Sequence, residues 1–108
     1  MKRVQIIGAL LAVVLTAKLG TINYGNHRET YYNLPMHNIT DRADAFYGLE
    51  DVYSVREDGV KTYNGFLMLA TDWNKYPFGT VIETSLGTGI VLDAHETDSN
   101  VVDIAVEW

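Results

Sequence analysis

Two stretches near the C-terminus decide the fold: Thr84–Asp93, with the sequence TSLGTGIVLD, and Val101–Val106, with the sequence VVDIAV. In the first, two glycines favour a tight turn, and the apolar run that follows ends at Asp93. In the second, Asp103 lies in the middle of an apolar run. Carboxylates are rarely buried without a partner, because ionising one in a medium of low dielectric constant is costly. These two aspartates are therefore the first candidates for a functional site.

The N-terminal segment has the features of an export signal. A basic start, Met1-Lys2-Arg3, precedes a largely apolar run from Val4 to Ala17, which Lys18 ends. At about 1.5 Å per residue such a helix is about 21 Å long, which is shorter than the roughly 30 Å of bilayer hydrocarbon. We expect residues 1–18 to be a signal peptide or an uncleaved membrane anchor, and residues 19–29 to be a flexible linker. Residues 30–108 would then be one exported domain, either secreted or tethered at the cell envelope.

Charge and composition exclude several classes of partner and chemistry. The formal net charge is −6, and removing residues 1–17 would take away Lys2 and Arg3 and leave −8. A nucleic-acid partner is not expected, because binding phosphates requires patches of Lys and Arg. The chain has no cysteine, which excludes thiol catalysis and zinc bound by thiolates. His95, Glu96 and Asp98 do not form a convincing ligand pattern, so we expect neither a metal nor another cofactor.

Short apolar and aromatic segments separated by turn residues predict an all-β domain with one short helix. The helix is predicted at 38–48, with Asn38 or Thr40 as its N-cap and with Ile39, Ala43 and Phe46 on one face. Strands are predicted at 30–36, 52–55, 60–63, 66–70, 80–84, 90–93 and 101–106. A small closed barrel of six strands would leave no exposed sheet edges in a domain without disulfides. We expect a monomer that meets the membrane only through residues 1–18.

Four motifs occur in a recognisable order: Leu69-Ala70-Thr71-Asp72, Pro77-Phe78-Gly79-Thr80-Val81, Gly87–Asp93 and Val102–Ala105. In this order and spacing they resemble the three-aspartate (3D) domain family, in the compact form found in Gram-positive bacteria and their phages. That family has a double-psi β-barrel fold. It is related to membrane-bound lytic transglycosylase A and to stationary-phase survival and resuscitation-type cell-wall enzymes. The resemblance covers residues 30–108.

The resemblance also implies roles for single residues. The three family aspartates correspond to Asp72, Asp93 and Asp103. Asp103 would be the catalytic acid, Asp93 its supporting partner, and Asp72 a residue that shapes the following loop. The candidates for substrate binding are Asp72, His95, Trp73 and Tyr76. Tyr31 and Tyr32 could also stack on sugar rings if they lie beside the site.

The implied activity is cleavage of the β-1,4 bond between N-acetylmuramic acid and N-acetylglucosamine in peptidoglycan, with a 1,6-anhydro sugar as product. Three alternatives remain open. Asp93 and Asp103 could be structural groups bonded to loop backbone, or Asp93 could serve a hydrolase as the second carboxylate. The chain could also be a non-catalytic tethered module that binds glycan or protein, for example as an accessory protein of a phage or prophage. Ala94-His95 favours the module, since the family has a glycine there.

Overall fold

The computed structural model describes residues 22–96 and 98–108, and in these ranges the chain forms eight strands and one helix. They are β1 (Ile22–Tyr24), β2 (His27–Tyr32), α1 (His37–Tyr47), β3 (Tyr53–Val55), β4 (Lys61–Tyr63), β5 (Phe66–Thr71), β6 (Val81–Thr84), β7 (Gly87–Ala94) and β8 (Val101–Ala105). The prediction of a β domain with one short helix is confirmed. The expected signal or anchor, residues 1–18, lies outside the described residues. In the described ranges no helix is long and apolar enough to span a membrane.

The predicted linker is wrong for residues 22–29, which form β1 and the start of β2. The two strands pair as an antiparallel hairpin around Gly25, whose φ of 57° suits the turn. The first predicted strand, at 30–36, is correspondingly displaced, since β2 ends at Tyr32. The polar sequence of this segment is typical of a linker, yet His27 and Glu29 are both buried. Their burial is possible because each is hydrogen-bonded inside the fold.

The sheet is built around β5, which has three partner strands. It runs parallel to β7 along one edge, while β4 and β8 pair antiparallel with its first and second halves along the other edge. The path β1-β2-β8-β5-β4-β3 therefore carries a branch through β7 to β6. In the described ranges β1 and β6 do not pair with each other, so the ladder does not form a ring. The expectation of a closed six-stranded barrel is wrong. The seam of the sheet, where the β1–β2 hairpin and β6 would have to pair, is joined by side chains instead.

Each face of the sheet carries its own core, as the two-residue period of a strand requires. Along β5, Met68 faces one side, while Leu67 and Leu69 face the other. The helix-side core consists of Met36, Ile39, Ala43, Tyr63, Met68, Ile90, Leu92 and Ala105. The opposite core consists of Val60, Leu67, Leu69, Leu86, Val91, Val102, Ile104 and Val106.

Helix α1 covers the helix-side core with Ile39 and Ala43, one turn apart. It begins without a side-chain cap, since the N-cap residue is Met36 and not the predicted Asn38 or Thr40. It ends at Gly48 in the left-handed conformation, with the Gly48 N–H bonded to the Asp44 carbonyl, as the sequence predicts. Phe46, predicted on the buried face, is 69% exposed because the last turn of the helix carries it out of the core.

Candidate functional site

A β-bulge in β7 determines where Asp93 points. Leu69 pairs with Val91, but the next residue of β5, Ala70, pairs with Asp93, so Leu92 is an extra residue in β7. In a regular ladder Leu92 would pair with Ala70, and Asp93 would follow on the other face. The bulge instead places Asp93 opposite Ala70, on the face that α1 covers.

Ala70 also pairs with Asp103 of β8, and Asp103 pairs with Thr30 of β2. Directly paired residues share a face, so Asp93, Ala70, Asp103 and Thr30 form one row across four strands. The Cα atoms of the two aspartates are two strand spacings apart, roughly 10 Å. Because Ala70 has only a methyl group, its own side chain leaves room between the two carboxylates. The structure therefore brings together the two aspartates that the sequence singles out.

Asp103 is half-buried in this row, and its carboxylate accepts a 2.8 Å hydrogen bond from the Thr30 hydroxyl. Burial raises the pKa of Asp103, and the charge of Asp93 raises it further, while the Thr30 bond and the charge of His95 act in the opposite direction. The net effect is a raised pKa. A carboxyl group that retains its proton to higher pH can act as a general acid.

Asp93 has a different environment. Its Oδ1 accepts the Ala94 N–H at 2.9 Å and lies 3.8 Å from Nη2 of Arg42, which α1 supplies. The same guanidinium group donates to the Leu92 carbonyl at 3.1 Å and so is fixed at the bulge. The Asp93 side chain is 29% exposed. Among the described residues, Asp103 is thus half-buried with no Lys, Arg or His nitrogen at ion-pair distance, whereas Asp93 has the Arg42 guanidinium beside it and is partly open to solvent.

Tyr32, which the sequence suggests only as a residue that could stack on sugar rings, is a further residue of this site. Its hydroxyl is buried and has no hydrogen-bond partner among the described residues. Burial raises its pKa, as do the charges of Asp93 and Asp103, so the phenol lies near both carboxylates. Tyr32 follows Thr30 by two residues on β2 and therefore shares its face, which is the signal that could have identified it. A buried polar group without a partner is rare in native proteins and is often functional.

Two of the other predicted site residues, His95 and Trp73, lie beside the carboxylate pair. Nε2 of His95 lies 3.2 Å from the Val101 carbonyl oxygen, and its charge acts on Asp103. Trp73, 39% exposed, donates from Nε1 to the Asp93 carbonyl at 2.8 Å.

Asp72 and Tyr76 are not brought to the carboxylate pair. Asp72 forms an Asx turn, in which its carboxylate accepts the Asn74 N–H at 2.9 Å. Tyr76 packs against the opposite core. Within residues 22–96 and 98–108, no group of three or more His, Asp or Glu side chains is arranged to hold a metal ion.

A second polar cluster lies at the seam of the sheet. Glu29 is fully buried, and its carboxylate accepts the N–H and the hydroxyl of Ser85 in the β6–β7 turn. Nε2 of His27 lies 2.9 Å from the same carboxylate. Beside this cluster, the β1–β2 hairpin and β6 border a cleft of about 380 Å³. Glu29 therefore joins β2 to the β6–β7 turn, which the backbone ladder leaves unpaired.

No family model matches the chain, and no similar protein was found among curated proteins or solved structures. The resemblance to the 3D domain thus stays a prediction, and function has to be argued from the geometry of the site.

Proposed function

We propose that the protein is a lytic transglycosylase-like enzyme that cleaves peptidoglycan glycan strands, with Asp103 as its single acid and base. The observation that carries this proposal is the row of Asp93, Ala70 and Asp103 on one face of the sheet. Two carboxylates in such proximity, one of them with a raised pKa, are an arrangement typical of acid–base catalysis.

The chemistry needs one group that first gives and then takes a proton. Protonated Asp103 would donate to the glycosidic oxygen as the bond from C1 of N-acetylmuramic acid breaks. The resulting carboxylate would take the proton of the muramoyl 6-hydroxyl, whose oxygen bonds to C1 and closes the 1,6-anhydro ring. No water is consumed, and Asp103 ends protonated. The raised pKa of Asp103 supports this role, since the group must begin the cycle with its proton.

The neighbours of Asp103 fit supporting roles. Asp93 raises the pKa of Asp103, and Arg42 and the Ala94 N–H hold the Asp93 carboxylate in place. The Tyr32 hydroxyl is buried and has no partner among the described residues, so it is available to a bound water beside the two carboxylates. The charge of His95 acts on Asp103 in the opposite direction and lowers its pKa.

The double-psi arrangement is also part of this proposal. Two parallel pairs, β2 with β8 and β5 with β7, lie on either side of the antiparallel β5–β8 pair, which supports it. The side chain of Glu29 bridges the seam that the ladder leaves open. Export through residues 1–18, a monomeric state and a location at the cell envelope remain predictions.

A non-catalytic glycan-binding module is the second candidate. It is favoured by the hydrogen bonds that both carboxylates already accept within the domain, from Thr30 and from the Ala94 N–H. Such bonds can hold an aspartate in a purely structural role.

Digestion of murein sacculi distinguishes the two candidates. The purified full chain is incubated with sacculi, and the released muropeptides are analysed by mass spectrometry. The enzyme yields 1,6-anhydro products that disappear in Asp103→Asn and persist in Asp41→Asn, a matched change at an exposed carboxylate of α1. Absence of anhydro products from the wild type, or their persistence in Asp103→Asn, contradicts the enzymatic role.

A further inference from the structure

Four aromatic side chains form a continuous strip beside the carboxylate pair: Trp73, Phe78, Phe46 and Tyr47. Phe78 is at the centre, with ring centroids 5.8 Å from Trp73, 5.1 Å from Phe46 and 5.9 Å from Tyr47. Phe46 and Tyr47 touch edge to face at 4.9 Å. The strip joins the end of α1 to the loop between β5 and β6, two elements that are separate in sequence.

Much of this strip faces solvent. Phe46 is 69% exposed, Trp73 39% and Tyr47 36%. Single exposed apolar residues are ordinary, but a contiguous exposed patch usually marks a binding surface. Phe78 packs against the helix-side core, but burial in the core does not explain the exposed positions of Phe46 and Trp73.

The strip is held in place on both sides. Hydrogen bonds from the Gly79 N–H to the Val91 carbonyl and from the Val91 N–H to the Thr80 carbonyl anchor the loop to β7. Gly79 has a φ of 88°, a conformation that other residues rarely adopt, and a Cβ there would crowd the Tyr47 hydroxyl at 3.1 Å, so glycine suits the close approach of the loop to α1. A preorganised aromatic surface loses little conformational entropy on binding.

The strip is also connected to the proposed catalytic pair. Nε1 of Trp73 donates to the backbone carbonyl of Asp93, so the indole ring lies next to the strand that carries the carboxylate. A ligand that lies along the strip would thus extend towards Asp93 and Asp103. This position suits a chain-like ligand that is held at one part and cleaved at another.

Charge and spacing narrow the ligand class. The acidic residues Asp41, Asp44, Glu50 and Asp51 flank the strip in sequence, and the chain carries a net charge of −6, which disfavours an anion. Neighbouring centroids are only 4.9 to 5.9 Å apart, so no cation fits between the rings as in an aromatic cage. The C–H groups of a neutral glycan are attracted to the negative faces of aromatic rings, and Phe46 and Trp73 expose such rings to solvent.

We propose that Trp73, Phe78, Phe46 and Tyr47 form a platform that binds a neutral β-1,4-linked N-acetylhexosamine chain next to the Asp93–Asp103 pair. The choice of a glycan rests on the proposed function, whereas the platform itself does not require that the chain is cleaved.

Binding is measured by titration calorimetry on the full chain carrying Asp103→Asn, so that no probe is consumed. The probe is the hexasaccharide of β-1,4-linked N-acetylglucosamine. Phe46→Ala is expected to weaken binding about twofold to twelvefold, because a lost aromatic contact is worth about 0.5–1.5 kcal/mol. Phe46→Tyr keeps an aromatic ring at this position and is expected to bind the hexasaccharide as the parent does. Tyr53→Ala, at an exposed aromatic residue outside the strip, is the matched control and is expected to bind as the parent.

The outcomes separate the platform from the enzyme. Binding that depends on Phe46, in a protein that releases no anhydro products from sacculi, supports the platform and rejects cleavage. Equal binding by Phe46→Ala and its parent overturns the platform, even if Asp103→Asn abolishes cleavage. Absence of any hexasaccharide binding overturns it as well. Phe46-dependent binding of a lysine-rich peptide or of phosphatidylcholine vesicles, without binding of the hexasaccharide, overturns the ligand class.

Discussion

Replacing Glu29 by glutamine tests whether a side chain closes the seam of the sheet. Glu29 on β2 is 0% exposed and accepts the Ser85 N–H at 2.9 Å as well as the Ser85 hydroxyl. His27 lies 2.9 Å away, and the Tyr31 hydroxyl adds a longer contact of 3.5 Å. Glutamine has nearly the same shape, but it turns one acceptor oxygen into an NH2 group that faces these donors.

The expected loss of stability follows from this change. A hydrogen bond to a charged group contributes about 1.5–3 kcal/mol, and an unsatisfied buried donor or acceptor costs about 1–3 kcal/mol. Rotation of the glutamine amide recovers part of this loss. We therefore expect Glu29→Gln to lower the free energy of unfolding by about 2–4 kcal/mol, with a fall in Tm of roughly 10–30 °C for a domain of this size.

Urea unfolding followed by circular dichroism measures the difference, with the m-value checked for constancy. Glu83→Gln is the matched control, because Glu83 is exposed and accepts one hydroxyl bond, from Thr88 at 2.6 Å. Its effect is expected to stay within about 0.5 kcal/mol. If Glu29→Gln is no less stable than Glu83→Gln, the seam does not depend on this carboxylate.

Three further changes test the site and its strand. Burial raises the pKa of Asp103, so its protonated carboxyl group stabilises the folded state at low pH, and this stabilisation is lost as the pH rises. The free energy of unfolding of Asp103→Asn, measured by urea titration relative to the wild type, should therefore increase from about pH 3 to about pH 7. A relative decrease over this range contradicts the burial of Asp103. Gly89→Ala should lower the unfolding free energy by about 1–3 kcal/mol, because its Cβ would lie 2.6 Å from a Leu69 methyl group; an unchanged urea midpoint refutes that contact. Tyr32→Phe should be as stable as the wild type or about 1 kcal/mol more stable in thermal unfolding, yet release less anhydro product from sacculi. A clear destabilisation would mean that the hydroxyl has a structural partner.

Local structure was largely predictable from the sequence. The helix at His37–Tyr47 nearly matches the predicted 38–48, because its periodic apolar residues and the terminal Gly48 are local signals. The turn at Asp58-Gly59 has the positive φ that its sequence indicates, 84° at Gly59. The continuous apolar run at 66–70 is β5, the strand with three partners.

Polar residues that become buried were the main source of error. The polar sequence of residues 19–29, with Gly20, Gly25 and Asn26, predicts a linker, but residues 22–29 form β1 and the start of β2. The burial of Glu29 depends on its hydrogen bond with Ser85, which is 56 residues away along the chain. A bond over such a distance leaves no local trace in the sequence.

The sequence by itself determined which residues could carry chemistry: Asp93 at the end of one apolar strand and Asp103 inside another, both noticeable because carboxylates are costly there. Only the tertiary structure decided that they share a face. That depends on the extra residue Leu92 in β7, on Ala70 between the two strands, and on Tyr32 arriving from β2. Register between strands is set by pairing of distant segments, and a shift of one residue reverses every side chain. The sequence could therefore propose the pair of aspartates, whereas the bulge in β7 placed them on the same face of the sheet.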